Sequence, residues 1–317
     1  MQNTLEEWLG AIRSEYLKDF IKRGGAAVKF CILDDDGFDT MGGVLRDAAL
    51  REGYAFASVS AVQTRISMID KIFHAIARQI DWDALADTYV RNYFVNNGYV
   101  LPENGEKPGV VNIAMLNNRD ETFFRRDVIA DIERDINHDY GLCQEFRFAM
   151  RRLCINALDS DGPAAYLSDA VKDWLRGDLR LVSSLKEALI FQKVTRYNAR
   201  AILYSLAHWL RMNQKSGLVL ALDISRLLEL KPRTDADEGF YYSSPSLLDA
   251  YEILRQFIDG TDEMEGLMIV VLAPREFLTS EKRGIDRYDA LKMRIWNEVQ
   301  DAYRQNPLTS LVHLTGV

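Results

Sequence analysis

The stretch that decides the fold is residues 27–40, which read AVKFCILDDDGFDT. Its first part, Ala27 to Leu33, is an apolar run with the length and composition of a buried strand. An acidic turn with one glycine follows, and a helix is predicted to begin at about Thr40. A buried strand that leads through a turn directly into a helix is the framework of a phosphate-binding P-loop. This order predicts a P-loop-type core.

Strand and helix patterns alternate again on either side of the chain's middle. Further strands are predicted from the apolar runs at 54–62, 218–223, 267–272 and 311–314. The text between them predicts helices at 40–51, 245–259 and 286–304, after a first helix at 4–22. Short apolar strands separated by helices are typical of a parallel sheet that is covered on both faces. We therefore predict an α/β fold.

The middle of the chain is predicted to be helical. Its predicted helices are 67–80, 82–96, 121–136, 143–157, 163–176 and 186–213, with one loop at 97–119. The predicted domains follow from this. Residues 1–66 are the N-terminal helix and first half of the core, 67–213 are a helical insertion, and 214–317 are the second half of the core.

Composition excludes several classes of protein. The chain has 317 residues, a net charge of −8 and 48% hydrophobic residues, which suits a globular protein with a sizeable core. Its acidic N-terminus is unlike a signal peptide, and no apolar run reaches 18 residues. The three cysteines are widely spaced and fit buried thiols better than a disulfide or zinc site. We expect a soluble cytoplasmic protein, with no concentrated basic patch typical of an autonomous nucleic-acid binder.

The loop itself departs from the P-loop pattern G-x-x-x-x-G-K-[ST]. In register with it stand residues 33–40, of which only Thr40 matches. Leu33 and Phe38 replace the glycines, and Asp39 replaces the lysine. Each carboxylate within 4 Å of a phosphate charge costs roughly 4 kcal/mol at an effective dielectric of 20. The degenerate positions Asp36, Gly37, Phe38, Asp39 and Thr40 are therefore not expected to bind ATP, and no cofactor is predicted.

A second P-loop feature is also incomplete. A Walker B strand ends in Asp-Glu, in which the Asp orients Mg²⁺ and the Glu polarises the attacking water. Here the strand at 218–222 ends in Asp223 and Ile224, so the Asp is present and the Glu is absent. A strand-terminal Asp more often caps the next loop. We therefore predict no catalytic residues for ATP hydrolysis.

Several segments resemble one family of proteins. They are YLKDFIKRGGAAVKFCILDDDGFDTMGGVLRDAALREGYAFASVS (16–60), GLVLALDISRLLEL (217–230), AYEILRQFID (250–259), LMIVVLAPREFL (267–278), RYDALKMRI (287–295) and NPLTSLVHL (306–314). They are similar to the BrxD-like P-loop ATP-binding proteins of BREX phage-defence systems. The resemblance covers about half of the chain. It implies an ASCE/AAA-like fold and a place in anti-phage defence. Family members carry intact Walker A and Walker B motifs, which this chain lacks.

The resemblance and the two lost motifs together predict a pseudo-ATPase. We expect a scaffold or regulator whose partners are other subunits of a defence complex, such as an intact ATPase or helicase. A homo-oligomer and direct nucleic-acid binding are left open. AAA-like proteins supply arginines to a neighbouring subunit, for which the candidates are Arg283, Arg287 and Arg294. Exposed aromatic residues at Phe240, Tyr241 and Tyr242 are the candidate docking site.

An enzyme is the alternative interpretation of the acidic turn. Asp34, Asp36 and Gly37 have the spacing of the haloacid-dehalogenase phosphatase motif, although Phe38 replaces its threonine. A magnesium-dependent nuclease would instead use Asp34, Asp36 and Asp223, with Asp39 nearby. Either would be a phosphoryl-transfer enzyme that binds Mg²⁺. We rank both below the pseudo-ATPase, since a lone acidic turn is usually structural.

The helical insertion carries paired arginines. The pairs are Arg125-Arg126 and Arg151-Arg152, with Arg134 and Arg147 nearby. They could form a basic stripe, but we favour solvated helix faces on which they pair with Asp127, Asp131 and Glu133. The four histidines lie in separate elements and lack metal-ligand spacing.

Overall fold

The computed structural model describes residues 3–33, 37–102, 109–158, 165–230, 239–296 and 306–315. The chain forms two compact units. Unit 1 consists of Met1–Ile76 and Lys215–Val317, and unit 2 consists of Ala77–Gln214.

The described strands form one parallel sheet in unit 1. They are β1 Asn3–Thr4, β2 Ala26–Leu33, β3 Ala55–Ser60, β4 Leu218–Asp223, β5 Leu267–Pro274 and β6 Leu311–Thr315. Their order across the sheet is β1-β6-β2-β5-β4-β3, and every neighbouring pair is parallel. The predicted fold class, a P-loop-type α/β parallel sheet flanked by helices, is confirmed. Strand β1 was not predicted, because two residues carry no apolar pattern.

The helices are numbered along the chain. They are α1 Leu5–Ala11, α2 Phe38–Arg51, α3 Ile69–Ala77, α4 Trp82–Asn96, α5 Val110–Leu116, α6 Glu121–Asn137, α7 Gln144–Leu158, α8 Ala165–Arg176, α9 Ala199–Met212, α10 Ser244–Asp259, α11 Glu276–Thr279 and α12 Asp289–Ile295. Helix α1 continues in π-helical geometry over Ile12–Phe20. Short 3₁₀ turns lie at Val182–Ala188, Ser225–Leu228 and Ile285–Arg287.

One face of the sheet packs against α1 and α2. Its core includes Val219 and Ala221 of β4 and the α2 side chains Met41 and Leu45, all buried. Side chains two residues apart on a strand point to the same face. Asp223, two residues beyond Ala221, therefore lies on the face of the sheet that α2 covers.

Two predictions for unit 2 are wrong. The helix predicted at 186–213 begins only at Ala199, and the loop predicted at 97–119 contains α5. Before α9, the side chain of Asn198 accepts a hydrogen bond from Thr195 N at 2.8 Å, which competes with helical bonding. The loop was predicted because Pro and Gly precede α5, and the apolar residues after Gly109, the N-cap of α5, were not recognised as a helix.

The last predicted helix, 286–304, is also too long in its described part. Helix α12 ends at Ile295, and Trp296 already has extended backbone, with ψ 118°. Residues 297–305 lie outside the described residues.

Candidate functional site at the carboxyl edge of the sheet

The carboxyl ends of the parallel strands bring the two predicted P-loop features to one edge. In register, Ser60 of β3 lies beside Asp223 of β4, and Asp223 lies beside Leu272 of β5. Leu33, the last residue of β2, pairs with Pro274 of β5. Ligands of open α/β sheets bind outside this edge. The candidate site is therefore the start of α2 together with the end of β4.

The start of α2 differs from a phosphate-binding loop. Gly37 is buried and is the N-cap, with φ −88° and no side-chain cap hydrogen bond. The next side chain, Phe38, is half-buried and packs against the hydrophobic core. Asp39 and Thr40 are exposed in the first turn. The acidic residues Asp34, Asp35 and Asp36 lie outside the described residues.

These residues do not fit a bound triphosphate. A glycine at position 38 would let the backbone approach phosphate oxygens, whereas Phe38 places there a half-buried ring that packs against the core. Asp39 puts a carboxylate where a P-loop has its lysine. In this position the carboxylate stabilises the positive end of the α2 dipole instead, by roughly 0.3–1 kcal/mol.

Asp223 is held by two hydrogen bonds. Ser60 Oγ donates to its Oδ2 at 2.9 Å, and the backbone N–H of Ser225 donates to its Oδ1 at 2.8 Å. The following residue, Ile224, is fully buried, so no second carboxylate stands beside Asp223 where the Glu of Walker B would be. The geometry is that of a carboxylate that caps the turn after β4.

No metal centre is assembled in the part of the chain that the structure describes. There, no group of three or more His, Cys, Asp or Glu side chains is arranged to hold a metal ion. Asp34 and Asp36, two of the three residues of the alternative metal site, lie outside that part, so the structure does not test this site.

The three candidate arginines have different surroundings. Arg283 is only 6% exposed and donates from Nε to Leu227 O at 2.5 Å and from Nη2 to Tyr242 O at 2.7 Å. Arg294 forms an ion pair with Asp259 at the end of α10. Arg287 is exposed. Its burial and its bonds to two backbone carbonyls give Arg283 a structural role, and the role of Arg287 towards a neighbouring subunit stays a prediction.

The predicted aromatic cluster is also divided. Tyr242 is buried, and its hydroxyl accepts from Ile66 N at 3.0 Å and donates to Thr64 O at 2.7 Å. Phe240 is half-buried beside the Arg65 guanidinium, which lies 5.1 Å from its ring centroid. Tyr241 alone of the three is well exposed, at 45%. Burial removes Tyr242 from the candidate docking site.

Sequence reasoning missed two buried cations that shape unit 1. Lys29, inside β2, donates to Tyr16 Oη at 2.8 Å and to Leu308 O at 2.5 Å, which ties the approach to β6 to the sheet. Arg226 donates to Phe240 O at 2.7 Å and pairs with Glu229. The position of Lys29 within an apolar strand could have predicted a buried lysine with polar partners, since buried lysines are nearly always paired.

The cysteines are largely buried, and several arginines of unit 2 pair with acidic side chains. Cys31 and Cys154 are buried, Cys143 is half-buried, and burial raises the pKa of all three thiols. On the helices of unit 2, four of the six arginines pair with acidic side chains. The ion pairs are Arg125–Glu121, Arg126–Asp127, Arg134–Asp131 and Arg151–Glu133. The favoured pairing with acidic residues is therefore confirmed for Arg125, Arg126, Arg134 and Arg151.

The parallel sheet, the order of strand β2 and helix α2, and the Asp at the end of β4 define a P-loop-type α/β protein. Residues 110–317 match the model of the family described as BREX system ATP-binding protein BrxC/D. That match spans well over half of the chain, so the chain belongs to this family. Membership indicates a role in a phage-defence system.

The family match covers the end of β4 but not the start of α2. It includes Asp223 but not residues 33–40, where the phosphate-binding loop would lie. Neither the curated proteins nor the solved structures contain a match to this chain. Among the described helices, none is both long and apolar enough to span a membrane.

Proposed function

We propose that this chain is a catalytically inactive P-loop subunit that acts as a scaffold or regulator in a prokaryotic anti-phage defence complex. Family membership supports the setting. The observation that carries the inactivity is Phe38, whose half-buried ring packs against the core at the position where a P-loop needs a glycine.

Asp39 and Asp223 support the same proposal. A carboxylate at position 39 repels phosphate, and the hydrogen bonds from Ser60 and Ser225 N–H give Asp223 a structural role without any nucleotide. A P-loop fold that no longer binds ATP still offers a rigid sheet and its loops for protein contacts.

Partner contacts are proposed on the exposed residues near α12. Tyr241 is exposed beside Arg283, whose guanidinium lies 5.9 Å from the tyrosine ring centroid. Arg287 is exposed just before α12, and Met293 on α12 is 80% exposed. Aromatic residues, Met and Arg are enriched in protein interfaces. In a complex with an intact ATPase, Arg287 would complete the site of the neighbouring subunit.

The test is an ATPase assay with and without a partner. The purified chain should show no hydrolysis above a no-protein blank, and Asp223→Ala should leave that result unchanged. An intact ATPase of the same defence system should change its rate when this chain is added, and Arg287→Ala should reduce that change. Hydrolysis by the chain alone would contradict the proposal. Magnesium-dependent phosphatase or nuclease turnover that disappears in Asp34→Ala would support the alternative enzyme instead.

A further inference from the structure

One segment of unit 2 has a charge opposite to that of the whole protein. Residues 179–214 contain six Lys or Arg residues and one Glu, a net charge of +5, whereas the whole chain carries −8. The segment includes the irregular stretch between α8 and α9. A local basic patch on an acidic protein raises the local concentration of polyanions.

The same stretch exposes two aromatic rings. Phe191 is 68% exposed and Tyr197 is 82% exposed. The guanidinium of Arg196 lies 4.8 Å from the Tyr197 ring centroid, within cation–π distance. We call the side chains of Arg180, Lys186, Phe191, Lys193, Arg196 and Tyr197 the 180–197 surface; all are exposed.

Packing and hydrogen bonds hold this surface in a fixed form. Ile190 and Val194 are buried on either side of the exposed residues 191–193. Trp174 Nε1 donates to Gln192 O at 2.9 Å, and Asn198 Nδ2 donates to Lys193 O at 3.2 Å. Leu189 has φ 61°, a costly conformation for a leucine that persists only where the surroundings impose it. The exposed rings are therefore presented by an anchored backbone.

Three cations of this surface, Arg180, Lys186 and Lys193, form no ion pair with another described residue. The one acidic residue in the segment, Glu187, accepts a hydrogen bond from Tyr166 Oη at 2.7 Å, and Glu145 of α7 accepts one from Gln192 Nε2. Lys193 Nζ donates to the carbonyl of Arg180 at 3.1 Å rather than to a carboxylate. The arginines of α6 differ, because acidic side chains pair with them.

We propose that the 180–197 surface binds single-stranded nucleic acid. Lys and Arg side chains would neutralise backbone phosphates, while Phe191 and Tyr197 would each stack against a base. This combination of a cationic track and exposed rings is how proteins bind single strands without sequence preference. An acidic protein partner would use the charges but would not need two rings separated by cations.

The first test measures binding of a fluorescent oligothymidylate of about 20 nucleotides by anisotropy at about 50 mM salt. The full-length protein should bind it. The double variant Phe191→Ala/Tyr197→Ala should bind at least about tenfold more weakly, because each stacked base contributes roughly 1–3 kcal/mol. The matched control is Met115→Ala/Phe123→Ala, which removes two exposed apolar side chains elsewhere in unit 2 and should bind like the wild type.

The second test separates specific contacts from general charge. Arg180→Glu/Lys193→Glu should weaken binding and reduce the slope of log K against log salt by about 1.4, or about 0.7 per phosphate contact. The control Arg125→Glu/Arg126→Glu should leave the slope unchanged. No binding by the wild type at about 100 μM protein would overturn the proposal. So would equal binding by the aromatic variant, tighter binding of duplex DNA, or equal competition by polyglutamate.

Discussion

Ser60 donates a hydrogen bond to Asp223 across two neighbouring parallel strands, with Oγ 2.9 Å from Oδ2. The N–H of Ser225 binds the other carboxylate oxygen. The residue that most resembles a Walker B aspartate thus has a complete structural explanation within unit 1. This explanation predicts that Asp223 affects stability and not catalysis.

Asp223→Ala should lower the free energy of unfolding by about 2–3 kcal/mol, because two hydrogen bonds to a charged group are lost. Urea denaturation measures this, and Asp249→Ala, which removes an exposed carboxylate on α10, is the control. A double-mutant cycle with Ser60→Ala should give a coupling of about 1–2 kcal/mol. Equal stability of the Asp223 variant and the control would show that these bonds contribute nothing.

Substitution of Arg283 should lower the stability of the protein, whereas substitution of Arg287 should leave it unchanged. Arg283→Ala leaves the buried carbonyls of Leu227 and Tyr242 unpaired, and the free energy of unfolding should fall by about 3 kcal/mol. Arg287→Ala changes an exposed side chain and should stay within about 0.5 kcal/mol of the wild type. Thermal or urea unfolding of both variants tests this. A stable Arg283 variant would contradict the structural role.

The neighbouring residues Tyr241 and Tyr242 offer a matched pair of single-atom deletions. Tyr242→Phe removes a hydroxyl that accepts from Ile66 N and donates to Thr64 O, so it should destabilise the protein by about 1–3 kcal/mol. Burial also raises the pKa of Tyr242 to about 12. Tyr241→Phe should be nearly neutral. The same loss in both variants would mean that the hydroxyl of Tyr242 is not a buried anchor.

The contact between α10 and α12 should depend on acid pH. The hydrogen bonds from Arg255, aided by one from Tyr288 at 2.5 Å, lower the pKa of Glu252 to about 2. A lowered folded-state pKa gives stability that is complete above the unfolded value of about 4.3 and is lost as the pH falls towards 2.

Glu252→Gln should therefore cost about 1 kcal/mol at pH 7, after solvent screening of this partly exposed group. The difference from the wild type should shrink as the pH falls from about 5 towards 2. Glu263→Gln, in the exposed turn after α10, is the control and should show no such trend. A pH-independent difference for Glu252→Gln would show that its ionisation does not contribute.

The sequence predicted the sheet because its strands carry a strong signal. The strands β2, β4 and β5 are continuous apolar runs, as expected for strands buried on both faces. The segment 186–198 was mistaken for helix because Leu185, Ala188 and Leu189 stand at i, i+3 and i+4, which is a helical spacing. The turn at Leu189, with its positive φ, has no local signature in a leucine.

The sequence predicted which residues occupy the candidate site, but not the hydrogen bonds that those residues form. The mismatches at Phe38 and Asp39 could be found from register alone, since they replace residues of a fixed motif. The burial of Arg283 and Tyr242 could not. Their partners, Leu227 and Thr64, are distant in the sequence and become neighbours only in the folded unit. An arginine or tyrosine in a segment that is predicted to be a loop is usually exposed.

The central claim is that the start of α2 does not bind ATP. The most direct test is calorimetric titration of the full-length protein with ATP and Mg²⁺, with Mg²⁺ alone as the control. The account predicts no nucleotide binding up to about 1 mM ATP, whatever residue stands at position 40. A dissociation constant of about 1 μM that is lost in Thr40→Ala would contradict it, because it would place phosphates at the first turn of α2 despite Phe38 and Asp39.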